Sequence, residues 1–142
     1  VCQVAKTLIC TMGLPRSGKS TWTRKQGFPI VEPDAVRLEL YNQKYWGPGE
    51  RMVWAVVDLM VRALFRAGNE TVILDATNIQ RSSRDKWQSD NWKTVFHYVD
   101  TDTDTCQARA AESGFPELAE VIERMDLDFE PLGEDELRYV EQ

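Results

Sequence analysis

The sequence predicts an α/β fold with three layers, a mostly parallel sheet flanked on both faces by helices. Three observations predict it. Short apolar runs alternate with helical patterns along the chain, and that order implies parallel crossovers. The first apolar run ends in a glycine-rich loop, Gly13-Leu14-Pro15-Arg16-Ser17-Gly18-Lys19-Ser20, where a strand should hand over to a helix. The polar residues with the clearest chemical potential all follow an apolar run, at the carboxyl ends of strands where open α/β sheets bind ligands.

Taken in order, Lys6–Met12 (KTLICTM) reads as a buried strand stopped by Gly13, and Ser20–Gln26 as a helix stopped by Gly27. Phe28–Val31 is a short second strand, after which Pro33 and Asp34 open a helix with Asp34 as the expected N-cap. Tyr41–Gly49 is a loop rich in aromatics and glycine. Val53, Val56, Val57, Met60 and Leu64 then fall at helical spacing, with Asp58, Arg62 and Arg66 facing elsewhere, up to the stop at Gly68-Asn69. Thr71–Asp75 (TVILD) is a third buried strand, Arg81–Trp92 a polar helix and Thr94–Val99 a fourth strand. Asp102 or Asp104 caps a helix through Ser113, broken by Gly114, and Pro116–Met125 is a further helix. Residues from Asp126 onward form an acidic tail without a clear pattern. With no linker, repeat or low-complexity stretch, one domain over 1–142 is expected, with a small helical lid at about 102–125 and the tail at about 126–142.

Composition narrows the class. The chain has 142 residues, 42% apolar and 28% charged, ordinary for a globular protein. No apolar run approaches the roughly 20 residues that span a bilayer, and no signal peptide is visible, so no membrane partner is expected. The chain begins at Val1 rather than a methionine, so a boundary within a longer chain is expected. Its three cysteines, Cys2, Cys10 and Cys106, form no CxxC or Cys/His cluster; neither a disulfide framework nor a zinc site follows, and a cytoplasmic setting is the expectation (the host cytoplasm if the chain is viral). The net charge of −6 is uneven. Residues 1–51 hold eight Lys/Arg against four Asp/Glu, 52–99 six against five, and 100–142 three against fourteen. An acidic total argues against nonspecific nucleic-acid binding, but the basic excess shares the region of the glycine-rich loop, which keeps an anionic substrate open. The acidic tail also reads simply as a solvated face.

G-x-x-x-x-G-K-S is a P-loop. Glycine lets the backbone curl so that successive N–H groups face phosphate oxygens, and the following helix adds its positive end. Lys19 neutralises the β and γ phosphates and Ser20 offers a hydroxyl to Mg²⁺. The expected nucleotide-binding set is Gly13, Leu14, Pro15, Arg16, Ser17, Gly18, Lys19, Ser20 and Thr21, for ATP with GTP as the alternative. Asp75, ending the third strand, is placed for the metal rather than as a mere turn former. Asp34 is placed to take a proton from an attacking hydroxyl, and Arg37 to grip a substrate phosphate or steady that carboxylate; taken alone the pair reads first as a helix cap and a surface arginine, but beside the P-loop the catalytic reading leads. Arg109, past the fourth strand, reads as a lid arginine over the transferring phosphoryl group or as a solvated helix residue. Tyr41, Tyr45 and Trp46 cluster near Lys44 and Arg51, where Tyr45 and Trp46 either stack on a base or pack locally. His97, alternating with apolar residues, reads as structural.

With these residues assembled, the chain resembles the polynucleotide-kinase and zeta-toxin-like group of P-loop kinases. The resemblance runs from Lys6 to Pro131 and rests on GLPRSGKSTW, the Asp34–Arg37 pair, GPGERMVW, VILDATN at 72–78, the Arg109 helix and VIERMDLDFEP at 121–131. It implies Asp34 as general base, Arg37 as substrate-phosphate ligand, Arg109 in the lid, and Asp75, Thr77 and Asn78 lining the site. Members phosphorylate 5′-hydroxyls of DNA or RNA; some phage relatives of similar size act on hydroxymethyl groups of modified pyrimidines in DNA, and others on nucleotide sugars or small metabolites. The expected acceptor is a nucleic-acid hydroxyl, on DNA rather than RNA, with a small-molecule kinase or a nucleotide-binding regulatory module as alternatives. Three positions depart from the group's pattern. Arg16 stands where glycine is common, Ser113 where the lid usually has a second arginine, and Ala76 where 5′-hydroxyl kinases often have aspartate.

Overall fold

A computed structural model describes residues 5–141. Four strands, β1 (Thr7–Met12), β2 (Ile30–Val31), β3 (Thr71–Leu74) and β4 (Lys93–Tyr98), form one sheet in the order β2-β3-β1-β4. Every pairing is parallel. The helices are α1 (Lys19–Lys25), α2 (Pro33–Tyr41), α3 (Glu50–Arg66), α4 (Arg81–Asp85), α5 (Thr103–Glu112) and α6 (Leu118–Asp128), with a 3-10 turn at Gly47–Gly49 before α3. The expected α/β architecture is thus observed.

A parallel sheet covered on both faces explains why the strands are apolar runs rather than alternations. On one face Leu8, Cys10 and Met12 join Val72, Leu74 and Phe96 against α3 and the two indoles Trp87 and Trp92. On the other, Ile9, Ile73 and Val95 pack under Trp22 of α1 and Tyr139. His97 lies in this second layer, its ring stacked on Trp22 at 3.7 Å, as its structural reading anticipated. A third cluster, Cys106, Ala110 and Ile122 with Leu14, fixes α5 and α6 to the glycine-rich loop. Cys10 and Cys106 are buried free thiols; Cys2 lies outside the described residues. Among the described residues, no helix is long and apolar enough to cross a membrane.

Four expectations are corrected. The N-cap of α2 is Glu32, not Asp34: Pro33 takes the first helical position, where its missing N–H costs nothing, and Asp34 falls in the first turn. The buried stripe of α3 is Val53, Val57, Val61 and Phe65, an i, i+4 row, whereas Met60 is exposed. The helix expected over Arg81–Trp92 stops at Asp85. The Trp87 carbonyl accepts from the Trp92 indole N–H and the Thr94 hydroxyl, so the chain turns back to bury both indoles instead of continuing as a helix. Finally, the acidic tail is not merely solvated. It runs beside β4, where the Phe96 amide donates to the Leu137 carbonyl and the Tyr139 amide to the Phe96 carbonyl. It also buries Glu136 against Arg84.

Arg84 is fully buried, yet each of its five N–H groups has an acceptor. Nε and Nη2 grip Glu136 at 2.7 and 3.1 Å, Nη1 reaches the carbonyls of Asn78 and Ile79, and Nη2 also reaches that of Pro131. This one guanidinium ties the loop after β3 to the tail. Burial alone would push the Glu136 carboxyl up; hydrogen bonds from Arg84 and the Gly133 amide, with the charges of Arg84 and Arg81, bring it below its ordinary value.

Candidate active site

The central strand β1 ends at Met12, and the loop that follows curls over the amino end of α1. Three residues take positive φ here: Gly13 (151°), Arg16 (66°) and Gly18 (106°). Arg16 therefore occupies a left-handed conformation that favours glycine, which accounts physically for glycine at this position elsewhere. Its carbonyl accepts from Arg109 Nη1 at 3.2 Å, and its own guanidinium donates to Ser113 Oγ and lies 5.3 Å from the Phe115 ring centroid. Lys44 Nζ sits 3.4 Å from the same centroid. The residue that departs from glycine thus brings a cation to the place where the second lid arginine is missing.

Gly13 is required by close approach. A Cβ there would lie 2.8 Å from Ser17 Oγ and 2.9 Å from the Val99 carbonyl oxygen. The second neighbour is backbone and has little room to give. Gly13→Ala is expected to open the loop and weaken nucleotide binding by at least about tenfold, the equivalent of roughly 1.4 kcal/mol; isothermal titration with a non-hydrolysable nucleotide reads this directly.

Lys19 lies buried at the loop's centre. Its Nζ donates to the Leu14 carbonyl at 2.7 Å, a main-chain partner that an incoming phosphate would replace. Burial lowers its pKa, opposed chiefly by the charge of Asp75. Ser20 Oγ donates to Asp75 Oδ2 at 2.8 Å, and Thr11 Oγ1 reaches Asp75 Oδ1 at 3.2 Å. Asp75 therefore sits just past β3, directly across from the loop. Ser17 is buried and Thr21 exposed on α1.

Mg²⁺ fits these donors. It prefers hard oxygen ligands and keeps several waters, taking one or two protein groups plus substrate phosphates; a hydroxyl and a carboxylate side by side supply that. Among the described residues no cluster of three His, Cys, Asp or Glu could hold a metal alone, consistent with a site completed by a nucleotide.

Beside the loop, α2 presents the Asp34–Arg37 pair. Asp34 is largely exposed and accepts from Arg37 Nη1 at 2.7 Å; Arg37 Nε and Nη2 hold Glu50, at the start of α3, at 3.0 and 2.8 Å. The carboxylate is thus steered by an arginine that is itself clamped. Hydrogen bonds from Arg37 hold the Glu50 carboxyl below its usual value. Thr77 and Asn78 lie beside the start of the loop: the Thr77 carbonyl accepts from the Gly13 amide, and buried Asn78 donates to the Thr11 carbonyl. Tyr45 and Trp46 are both exposed, and Trp46 also packs edge-on to Tyr41.

Glu50 and Glu32 escaped the sequence reading. Glu32 follows β2 beside Asp75, since the Asp75 amide donates to the Val31 carbonyl. Burial, then the charges of Asp75 and Asp34, raise its pKa. Its place after an apolar run was the available signal. Nothing local marked Glu50 as the partner of Arg37, thirteen residues away.

A family model described as an AAA domain matches residues 8–132. The chain belongs to the AAA domain family. No curated protein matches it. Among solved structures, this AAA domain is similar to a chain of a Pnkp1/Rnl/Hen1 complex, with 24% identity and a TM-score of 0.69 over 77% of this chain and 40% of that one. It is also similar to a chain of the Pnkp1/Rnl/Hen1 RNA repair complex, with 23% identity and a TM-score of 0.65 over 99% of this chain and 53% of that one. A gluconokinase from Sinorhizobium meliloti is similar too, with 19% identity and a TM-score of 0.64 over 96% and 82% of the two chains. The AAA domain spans about half or less of the length of the first two. The likenesses establish the fold of P-loop kinases, shared by enzymes named for different acceptors.

Proposed function

We propose that this AAA domain transfers the γ-phosphoryl group of ATP to a hydroxyl on a nucleic acid, either a polynucleotide 5′-hydroxyl or the hydroxymethyl group of a modified pyrimidine in DNA. The observation that carries a kinase reading, rather than an ATPase or a regulatory module, is the Asp34–Arg37–Glu50 arrangement beside the P-loop. A hydrolase needs a positioned water. Here an exposed carboxylate, held by a clamped arginine, is close enough to the loop for its charge to act on Lys19.

In this reading Lys19 leaves the Leu14 carbonyl for the β and γ phosphates, joined by backbone amides at the amino end of α1. Ser20 and Asp75 would hold Mg²⁺, which would neutralise charge on the transferring group. Arg109, already on the Arg16 carbonyl, has a short reach to the same phosphates. Asp34 accepts the acceptor's hydroxyl proton while the new O–P bond forms and ADP departs. Arg37 holds the carboxylate or a neighbouring phosphate.

A nucleic-acid acceptor is favoured by charge. Among the described residues Arg16, Lys44, Arg51, Lys86 and Arg109 have no carboxylate partner. A sugar acceptor, suggested by the name of the Sinorhizobium neighbour, would give Arg51 and Lys86 no flanking phosphate to meet. The test is incubation with γ-labelled ATP and Mg²⁺ against 5′-hydroxyl oligonucleotides, end-blocked duplexes carrying hydroxymethylpyrimidine, nucleosides and gluconate. Label is expected on one of the two nucleic acids and to disappear with EDTA; label on small molecules alone would overturn the assignment.

A further inference from the structure

A pocket of about 470 Å³ opens between α3 and the α4 segment, away from the P-loop itself. Trp54 and Trp87 form its aromatic wall, their ring centroids 6.4 Å apart and tilted by 53°. Arg51 and Lys86 lie at its rim, and Glu50 and Asn78 close the end nearest the candidate site. Its size suits a small ring rather than a folded partner.

Three features connect this pocket to the reaction. Glu50 is at once a wall of the pocket and the clamp on Arg37. The Arg37 guanidinium lies over the Trp54 ring, 5.8 Å from its centroid, and the same guanidinium holds Asp34. Asn78 belongs to the loop after β3 that Arg84 fixes from behind. A planar ring laid against Trp54 would therefore sit one side chain from the proton acceptor. Trp87 is buried, but Trp54 is 37% exposed, which leaves part of its ring accessible from the pocket.

We propose that this pocket, and not the Tyr45–Trp46 loop, receives a nucleobase of the acceptor strand, stacked on Trp54, with Arg51 and Lys86 on the phosphates that flank it. The inference rests on the nucleic-acid reading above. Indole and base both present flat polarisable faces, so stacking tolerates any base. The two cations supply the salt-dependent part of binding.

The test is anisotropy of a 3′-labelled, single-stranded 5′-hydroxyl oligonucleotide, read alongside its KM for phosphorylation. Trp54→Leu is expected to weaken binding and raise KM by about 5- to 100-fold, the range measured for loss of one stacked base. Trp54→Phe, which keeps a flat face, should recover most of the loss. Arg51→Gln and Lys86→Gln should each flatten the slope of log K against log salt by about 0.7. Affinity for ATP, measured separately, reports that each variant is folded. If Trp54→Leu binds ATP normally and holds the oligonucleotide within twofold of wild type, the pocket is not the base site, whether or not phosphate is transferred. If Trp54→Leu impairs only gluconate phosphorylation, the proposal also falls. If the oligonucleotide binds through Trp54 but receives no phosphate, the pocket stands and the proposed reaction fails.

Discussion

Asp34→Asn is expected to lower kcat for phosphoryl transfer by about 10²- to 10⁴-fold, the usual contribution of a positioned general base. The amide can still accept from Arg37 Nη1, which Asp34 engages at 2.7 Å, so the helix start and the Arg37–Glu50 pair should survive. KM for ATP is expected to stay within a few-fold, because Asp34 belongs to α2 and not to the phosphate loop. A steady-state comparison separates the two quantities. Full activity in Asp34→Asn would remove the carboxylate from the chemistry and return it to a mere partner of Arg37.

Arg84→Met is expected to produce the largest loss of stability. The side chain is fully buried and meets Glu136, itself only 6% exposed, together with three carbonyls. Removing one partner of such a pair leaves an uncompensated charge and costs roughly 3–5 kcal/mol, which at this size lowers Tm by roughly 10–20 °C. Replacing both partners, Arg84→Met with Glu136→Leu, should recover much of that loss, since no charge is left buried. Urea unfolding of the single and double variants measures the difference. The pair also sets a pH dependence. The folded carboxyl of Glu136 lies below its unfolded value. Its contribution is therefore present above the unfolded pKa and lost as pH falls through the folded one. Wild type should lose stability in that acid range more steeply than the double variant.

The P-loop, the strands and an aspartate cap of α5, Asp102 or Asp104 by sequence and Asp102 in the fold, were legible because their signals are local. A strand, a turn that needs glycine and a helix start each lie within a few residues. The cap of α2 was misread by two positions because Pro33 and Asp34 both mark helix starts, and only the register of β2 against β3 puts Glu32 outside the helix. The end of α4 was not legible. The Trp92 indole and the Thr94 hydroxyl converge on the Trp87 carbonyl, and that depends on the space left by α3. The buried role of Glu136 was hidden for the same reason: a run of fourteen acids against three bases looks solvated until one guanidinium, 52 residues away, is seen to bind it. The acceptor side follows this pattern too. Asp34 and Arg37 are three residues apart and readable as a pair, whereas Glu50 and Trp54 reach Arg37 only through the packing of α2 on α3.

Arg16 illustrates a reading that geometry sharpened. In the sequence it is only a departure from the glycine common at this position. The backbone accepts it at a φ of 66°, and the side chain spans to Ser113 and Phe115. A cation absent from the lid is present beside it, carried by a different segment.

The central claim, that Asp34 and the P-loop serve a nucleic-acid hydroxyl, is tested most directly by competition in a single reaction. Wild-type protein, γ-labelled ATP and Mg²⁺ are given a 5′-hydroxyl oligonucleotide, a hydroxymethylpyrimidine duplex with blocked ends and gluconate together, and the partition of label gives the ratio of kcat/KM values. The expected result is label on one of the nucleic acids in large excess over gluconate. A partition in favour of gluconate would contradict it.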